Sequence, residues 1–252
     1  MHKPVLLNEI LEIFDPQPGE KFIDATADGG GHASAVLEKI TPDGKLLGIE
    51  WDGKLLEQAR LKIYDLGFKN NAILVNDSYV NLKKIAEENY FTPPAGGVDG
   101  ILFDLGMSSW QLESSGRGFS FQKEEPLDMR YAGATTNYQP LTTNITAEEI
   151  LNKYGKEELE KILRNYGEER FAGRIIEAVI RARKEQPIKT TGQLVEIIRQ
   201  AVPFWYRRKK IHFATRTFQA LRIAVNHELE NINQGLTQAA GILKPGGKII
   251  VI

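Results

Sequence analysis

The sequence predicts an α/β fold built on a parallel, Rossmann-like sheet with an inserted helical domain. Short apolar runs bounded by turn residues alternate with helical patterns through the first hundred residues, which is typical of parallel strands joined by right-handed crossovers. The first run ends in Asp24, breaks at Gly29-Gly30-Gly31 and enters a helical pattern. That succession opens many folds that bind a nucleoside-bearing cofactor, because glycines let the backbone approach a ligand closely.

The first elements follow in order from these patterns. Leu55, Leu56, Ala59, Ile63 and Leu66 recur at helical spacing, so we expect this helix to cover the sheet. The predicted strands are 21–25, 45–50, 72–75 and 100–104, and the predicted helix is 54–66.

The strand and helix alternation stops after the fourth strand. Residues 111–145 show no sustained period and are rich in Ser, Gly, Thr and Pro, as in a lid, a binding loop or a disordered segment. Helical patterns then return, and Thr146 and Thr190 each begin a capping box. We predict that residues 113–214 form a helical insertion and that residues 1–112 and 215–252 form the sheet domain.

A last long helix is predicted from Thr215, because apolar residues from Phe218 onward form one stripe at helical spacing. Residues 243–247, Leu-Lys-Pro-Gly-Gly, then predict a turn into a final strand at 248–252. A native domain rarely stops inside a strand, so we expect the natural protein to continue with further C-terminal strands.

Composition excludes several kinds of protein. The chain has no cysteine and only four scattered histidines, so we expect neither disulfides nor a bound metal. No apolar run is long enough to span a membrane, which favours a cytoplasmic protein without membrane partners. The net charge is −1, but residues 164–222 carry 14 Lys and Arg against 5 Asp and Glu. This asymmetry favours a positive face for a polyanion, the alternative being chance clustering of solvated helix faces.

The glycine loop alone leaves the ligand open. Its Gly29-x-Gly31-x-x-Ser34 spacing nearly fits the fingerprint of NAD-dependent dehydrogenases, and glycines that serve only a tight turn are a further alternative. Methyltransferases that use S-adenosylmethionine have the same strand, turn and acid. The Lys-Pro-Gly-Gly turn and the Asp-Leu-Gly motif that begins at Asp104 favour the methyltransferase.

Five motifs then carry a specific resemblance. They are Asp-Leu-Gly-Met-Ser-Ser-Trp-Gln-Leu at 104–112, Arg-Gly-Phe-Ser-Phe at 117–121, Pro-Leu-Asp-Met-Arg at 126–130, Tyr-Gly-Glu-Glu-Arg-Phe-Ala at 166–172 and Ala-Thr-Arg-Thr-Phe-Gln-Ala-Leu-Arg at 214–222. From residue 4 to residue 252 the sequence resembles the MraW-type cytosine-N4 methyltransferases of small-subunit ribosomal RNA.

The resemblance implies a class I S-adenosylmethionine methyltransferase fold. It also implies S-adenosylmethionine as cofactor and methylation of the exocyclic N4 amine of a decoding-centre cytidine in 16S ribosomal RNA. The expected partner is small-subunit ribosomal RNA or the 30S particle, and a homodimer is left open. A non-catalytic RNA-binding or ribosome-assembly protein stays an alternative, as does, more remotely, the dehydrogenase.

Carried over residue by residue, the resemblance implies cofactor contacts at Gly30, Gly31, His32, Glu50, Tyr79, Asp104 and Gln111. Glu50 would accept bonds from both ribose hydroxyls, and Tyr79 would cover an adenine face unless it is a core aromatic. His32, taken by itself, would be a helix-start residue. Asp104 is the predicted catalytic residue, because a carboxylate that accepts an N–H bond would orient the cytosine amine. Its alternative role is contact with the cofactor only.

The predicted RNA contacts are Arg117, Phe119, Arg130, Arg207, Arg208 and Arg216. Phe119 and Phe121 would stack on a base that has left its stack, or else anchor an ordered loop. The basic run 207–210 directly follows the three aromatic residues 204–206. It predicts phosphate contacts, and the alternative is a flexible solvated loop. Residues 113–214 are therefore the predicted RNA-recognition domain.

The sequence departs from the family pattern at three internal positions. Asp28 stands where a glycine is usual, Glu50 replaces the common aspartate, and Trp110 occupies the place of a proline. Asp28 adds negative charge close to the cofactor loop, whereas Glu50 is a longer carboxylate able to do the same work.

Overall fold

The protein is described here by a computed structural model that covers residues 4–92, 97–131 and 145–252. Within these residues the chain forms two compact units, one of residues 4–92, 97–106 and 230–252 and one of residues 107–131 and 145–229. The elements are α1 (Leu7–Phe14), β1 (Lys21–Asp24), α2 (Gly31–Ile40), β2 (Lys45–Ile49), α3 (Gly53–Asp65), β3 (Ala72–Val75), a short 3-10 helix (Tyr79–Asn81), α4 (Leu82–Glu88), β4 (Val98–Phe103), α5 (Ser109–Glu113), α6 (Ala147–Lys153), α7 (Lys156–Gly167), α8 (Ala172–Glu185), α9 (Thr191–Ala201), α10 (Phe204–Arg207), α11 (Thr215–Asn226), α12 (Glu228–Ala240) and β5 (Leu243–Val251).

The first unit contains one parallel sheet with the strand order β3-β2-β1-β4-β5. Asp24, the last residue of β1, lies in register with Gly48 of β2 and with Leu102 of β4. The strand order reverses between β1 and β4, and open α/β sheets bind ligands beyond the carboxyl ends of their strands at such a point. The predicted parallel α/β sheet is confirmed, and its topology directs attention to the residues that follow β1 and β4.

Successive apolar residues of the inner strands lie on opposite faces of the sheet. Phe22 and Leu46 pack on the face that α1, α2 and α3 cover, whereas Ile23 and Leu47 pack on the face that α4 and α12 cover. Because both faces are buried, these strands are continuous apolar runs rather than alternating ones. The helices thus leave the strand ends as the place for polar chemistry.

The second unit is helical. α7 packs along both α8 and α11, and a Cβ on Gly167 at the end of α7 would overlap the carbonyl oxygen of Arg216. Thr146 and Thr190 begin α6 and α9 with complete capping boxes, as predicted. This unit begins before the predicted boundary at residue 113 and extends beyond residue 214, because α11 packs on α7.

The predicted long helix from Thr215 is wrong, because two helices occupy its place. His227 lies between α11 and α12 with φ of 49°, a left-handed conformation that histidine adopts more readily than most residues. The side-chain amide of Asn226 donates to the carbonyls of Met129 at 2.7 Å and Arg222 at 2.9 Å, which fixes the break. The apolar period continues on both sides of His227, so periodicity could not show this break.

The predicted turn at 243–247 is the irregular beginning of β5, which is therefore longer than the predicted strand 248–252. The register between β4 and β5 shifts between Val98 and Gly100, and Gly246 has φ of 84°. Of the predicted irregular segment 111–145, residues 132–144 lie outside the described residues. Among the helices that the structure describes, none has the length and apolar character needed to cross a membrane.

Candidate active site

The loop after β1 brings backbone close to the N-terminus of α2. Gly30 caps α2 with φ of 75°, and a Cβ there would lie 3.1 Å from the Cα of Ala59. A Cβ on Gly31 would lie 2.6 Å from Cγ of Pro4. Space and conformation therefore both favour glycine here. The free N–H groups at the start of a helix favour an anionic ligand group, so this loop can receive a carboxylate.

Asp28 has the left-handed conformation that explains why a glycine is usual at its position. Its φ is 44°, and aspartate is among the few non-glycine residues that adopt this conformation repeatedly. Its backbone N–H donates to Oε2 of Glu50 at 2.9 Å. The substitution therefore keeps the path of the loop and ties the loop to the end of β2.

Glu50 follows β2 and is buried, with 6% of its surface exposed. Its Oε1 accepts the backbone N–H of Asp52, and its Oε2 accepts that of Asp28, both at 2.9 Å. Burial raises the pKa of Glu50 from 4.5 to about 8 against the effect of these two N–H groups, and the charge of Asp28 adds to the rise. In the ionised carboxylate each oxygen can accept two bonds, so each then retains capacity for a hydroxyl.

The carboxyl groups of Asp24 and Asp104 lie at the edge of the sheet where β1 and β4 end. Asp24 is buried, and its Oδ1 accepts the backbone N–H of Thr26 at 3.2 Å, whereas its Oδ2 has no hydrogen-bond partner among the described residues. Burial raises the pKa of Asp24 from 3.8 to about 6. His32 and the Thr26 N–H oppose that rise, and Asp104 and Asp28 add to it. The end of β1 therefore holds a buried carboxyl that is short of hydrogen-bond donors.

Asp104 lies next to Thr26 and His32 of the same unit. Its backbone N–H donates to Oγ1 of Thr26 at 2.7 Å, and its Oδ2 lies 3.6 Å from Nδ1 of His32. Nε2 of His32 lies 2.9 Å from the carbonyl oxygen of Val5, which can only accept, so this nitrogen carries a proton. The Asp104 side chain is 36% exposed. It is thus positioned and still accessible.

Tyr79 lies in an aromatic cluster at the end of β3. Its ring packs edge-on against Trp51 at 5.8 Å and Phe103 at 5.7 Å between ring centroids, and 5% of the residue is exposed. The core alternative describes this packing, and the adenine contact of Tyr79 stays a prediction. Trp51, partly exposed and next to Glu50, is a second aromatic at the same strand end.

Gln111 and two of the predicted RNA contacts, Arg117 and Arg130, make internal bonds within the second unit. Gln111 is the third residue of a capping box with Ser108, in which its Oε1 accepts the Ser108 N–H at 2.9 Å. Arg117 donates to the carbonyls of residues 130 and 131, and Arg130 binds both carboxyl oxygens of Asp128 at 2.6 and 2.8 Å. These bonds already occupy much of the donor capacity of both guanidinium groups.

Phe119 is 4% exposed and its ring stacks on Tyr131 at 5.5 Å between centroids. Phe121 stacks on His212 at 4.4 Å with 5° between the ring planes. For both phenylalanines the structure fits the alternative of a loop anchor, because each ring has a partner inside the protein. Of the two, Phe121 is the less deeply buried.

The remaining predicted RNA contacts lie where α10 and α11 begin or end. The guanidinium groups of Arg207 and Arg208 lie 5.5 and 4.2 Å from the ring centroid of Phe204. Arg216 donates through Nη1 to the carbonyl oxygen of Glu168 at 2.6 Å. The segment 203–210 contains the short helix α10 rather than only a solvated loop.

The comparison with known families decides which cofactor chemistry this arrangement serves. The family model of the MraW methylases matches residues 1–252. The chain belongs to the MraW methylase family. Methylases of this kind use S-adenosylmethionine, so the predicted cofactor and the predicted methyltransferase activity are confirmed, and the dehydrogenase alternative is wrong.

Relatives at moderate identity agree with the family assignment. Ribosomal RNA small subunit methyltransferase H of Syntrophotalea carbinolica is 43% identical over 251 residues, which cover 100% of this MraW methylase and 76% of the relative. The protein of the same name from Symbiobacterium thermophilum is 41% identical and covered over 74% of its length. A solved rRNA methylase from Streptococcus thermophilus aligns with 42% of this chain and 57% of its own at 18% identity, with a TM-score of 0.33; that similarity is too low to add to the assignment.

Sequence reasoning missed three residues that this MraW methylase places at the strand ends. The sequence pattern marks Asp24 only as the end of a strand, yet its buried Oδ2 lacks a hydrogen-bond donor among the described residues. Thr26 binds the backbone of Asp104, a contact between residues 78 positions apart that no local pattern reveals. Trp51 had a usable signal, because it directly follows the acid that ends β2. No group of three or more metal-ligating side chains occurs within the described ranges.

Proposed function

We propose that this MraW methylase methylates the exocyclic N4 amine of a decoding-centre cytidine in small-subunit ribosomal RNA, free or within the 30S particle, in the cytoplasm. The names of the relatives support small-subunit ribosomal RNA as the substrate. The accessible Asp104 carboxylate at the point where the strand order reverses is the observation that carries the chemical step.

The residues at the strand ends fit the cofactor. S-adenosylmethionine, when bound, supplies an activated methyl group on a sulfonium sulfur. Gly30 and Gly31 offer backbone space and N–H groups for its carboxylate. Glu50 offers one further acceptor position on each oxygen for the ribose hydroxyls. Oδ2 of Asp24, buried without a hydrogen bond, suits the ammonium group of the methionine part.

Asp104 is the group proposed to act on the cytosine amine. The lone pair of that amine is delocalised into the ring, so the amine is a weak nucleophile. A carboxylate that accepts one N–H bond orients the nitrogen and stabilises the positive charge that develops on it, and it can accept the proton that the product must lose. Thr26 holds the backbone of Asp104 for that work, and His32 lies beside the Asp104 carboxylate.

The second unit is proposed to hold the RNA. Arg207, Arg208 and Arg216 remain the predicted contacts that best fit phosphate binding. Arg117 and Arg130 can meet a phosphate only with donors that the carbonyls of 130 and 131 and the carboxylate of Asp128 do not use.

Methyl transfer to 30S particles that lack the modification tests the proposal. We expect tritiated methyl groups in the small-subunit RNA, and nucleoside mass spectrometry should find N4-methylcytidine. Labelling of another atom or another RNA would contradict the substrate assignment. Cofactor binding together with RNA binding, but without any transfer, would favour the non-catalytic alternative.

A further inference from the structure

A basic cleft lies in the second unit, and all its lining residues belong to that unit. It has a volume of about 410 Å³, and we call it the basic cleft. Its walls come from the segment between α7 and α8, from α10 with the segment that follows it, and from the start of α11. Its polar lining consists of Arg170, Tyr206, Lys209, Lys210, His212 and Arg216.

The charges of the basic cleft are not neutralised inside the protein. Arg170, Lys209 and Lys210 are exposed, and none of them forms an ion pair with a carboxylate among the described residues. Arg216 approaches one carboxyl oxygen, Oε2 of Glu168, at 3.8 Å, and that side chain is 86% exposed. No acidic residue of the described chain lines the cleft. Cations gathered in this way attract an anion with several charges.

The walls of the basic cleft are fixed by buried bonds. Glu169 is 1% exposed, and its two carboxyl oxygens accept the backbone N–H of Phe171 at 2.8 Å and the hydroxyl of Tyr206 at 2.9 Å. These bonds join the start of α8 to α10. Arg216 joins α11 to the end of α7 through the Glu168 carbonyl at 2.6 Å. The cations are therefore carried on a framework that forms before any ligand binds, which lowers the cost of binding.

Two exposed aromatic residues directly precede Tyr206, which lines the cleft. Trp205 is 50% exposed and Phe204 58% exposed. The guanidinium of Arg170 lies 5.2 Å from the Trp205 ring centroid, and the ammonium of Lys209 lies 5.4 Å from it. Exposed rings beside a positive groove are the combination by which proteins bind single-stranded nucleic acid, because unpaired bases stack and phosphates meet cations. A duplex hides the base faces, so its bases could not stack on these rings.

We propose that the basic cleft binds the phosphate backbone of single-stranded RNA, with Arg170, Lys209 and Lys210 as phosphate contacts and Trp205 as a stacking surface. This inference rests on the proposed function only in one respect, which is that the single-stranded RNA is taken to be part of the ribosomal RNA substrate. It adds Arg170 and the two lysines to the arginines predicted from the sequence. It also makes the site a folded cleft rather than a basic run.

The test measures fluorescence anisotropy of a labelled single-stranded RNA of about a dozen nucleotides with the full chain, without cofactor. We expect the combined Arg170→Gln, Lys209→Gln and Lys210→Gln variant to bind at least tenfold more weakly at about 0.1 M salt. The slope of log K against log salt should also decrease by about 2, because each phosphate contact to a single strand contributes about 0.7. Trp205→Leu should weaken binding of RNA but not of inorganic polyphosphate, which has no bases.

A matched control separates the basic cleft from general charge. The combined Lys161→Gln, Lys184→Gln and Lys189→Gln variant removes the same number of exposed cations from the same unit, and none of them lines the cleft. We expect it to bind RNA within about threefold of the unmodified protein. Equal weakening by both triple variants would overturn the proposal. Unchanged RNA binding in the cleft variant would also overturn it. So would a cleft variant that binds RNA normally and loses only the binding of an acidic polypeptide such as polyglutamate.

The same measurements keep the two proposals apart. If RNA binding depends on the basic cleft but the 30S particle is never methylated on cytidine N4, the proposed function fails and the cleft stands. If the cleft variant methylates 30S particles with unchanged KM and binds RNA normally, the cleft proposal fails and the proposed function stands. Circular dichroism of each variant verifies the fold, which exposed substitutions should preserve.

Discussion

Replacement of Glu50 by glutamine should change how the stability of the ligand-free protein depends on pH. Burial raises the pKa of Glu50 from 4.5 to about 8. Between these values the folded protein holds a proton that the unfolded chain releases, so the stability contributed by the neutral carboxyl is complete below about pH 4.5 and is lost as the pH rises through about 8. At about 1.4 kcal/mol per pH unit the full loss is about 5 kcal/mol.

Glutamine has the size of glutamate but does not titrate. Its amide can accept only one of the two backbone N–H bonds, from Asp28 and Asp52, that the carboxyl accepts. That should cost about 1–3 kcal/mol at every pH. We therefore expect Glu50→Gln to be less stable than the unmodified protein at about pH 5, and to gain about 3–5 kcal/mol relative to it by about pH 9.

Urea unfolding of both proteins between about pH 5 and about pH 9 measures this difference, since most other groups titrate equally in the two proteins and cancel. Glu38, exposed on α2, supplies the control. Glu38→Gln should stay within about 0.5 kcal/mol of the unmodified protein throughout. A Glu50→Gln difference that is constant with pH to within about 1 kcal/mol would refute the reasoning that burial controls this carboxyl.

Three further outcomes are expected. Asp104→Asn should lower kcat for methyl transfer about 100-fold while the dissociation constant of S-adenosylmethionine changes less than about threefold; a parallel loss of cofactor affinity would support the alternative that Asp104 contacts only the cofactor. Gly30→Ala should reduce the free energy of unfolding by about 2–3 kcal/mol, because strain and the approach to Ala59 combine. Gly19→Ala, with φ of 89° but nothing within 4 Å of the added Cβ, should cost only the strain, about 1 kcal/mol; equal losses in urea unfolding would argue against the contact. Tyr206→Phe should cost about 1–3 kcal/mol, because it removes a donor from a buried carboxylate. Burial raises the pKa of Tyr206 to about 12. In an alkaline titration followed by tyrosinate absorbance, the variant should therefore lack the part of the signal that the unmodified protein gains at the highest pH.

Much of the fold can be predicted from the sequence, because it depends on residues that are close together along the chain. The apolar runs that end in Asp24 and Glu50 predict two strands. Because parallel strands bring their carboxyl ends together, both acids are expected at the same edge of the sheet. The capping boxes at Thr146 and Thr190 involve residues three apart, so sequence alone located both helix starts.

The error in the predicted long helix originates in a distant contact. The break at His227 is held by Asn226 through the carbonyl of Met129, a residue 97 positions away, whereas the apolar stripe runs on unchanged. The RNA contacts of Arg117 and Arg130 stay predictions, and the carbonyl groups to which Arg117 donates are brought to it by the path of the folded chain.

The sequence by itself therefore determined the family, the parallel sheet, the cofactor and the acids at the strand ends. Only the tertiary structure decided the state of those acids. Burial raises the pKa values of Glu50 and Asp24 because the fold removes both carboxyl groups from water, and Thr26, in the loop after β1, positions Asp104. Burial and long-range hydrogen bonds depend on which segments meet in space, and neither spacing nor residue type along the chain contains that information.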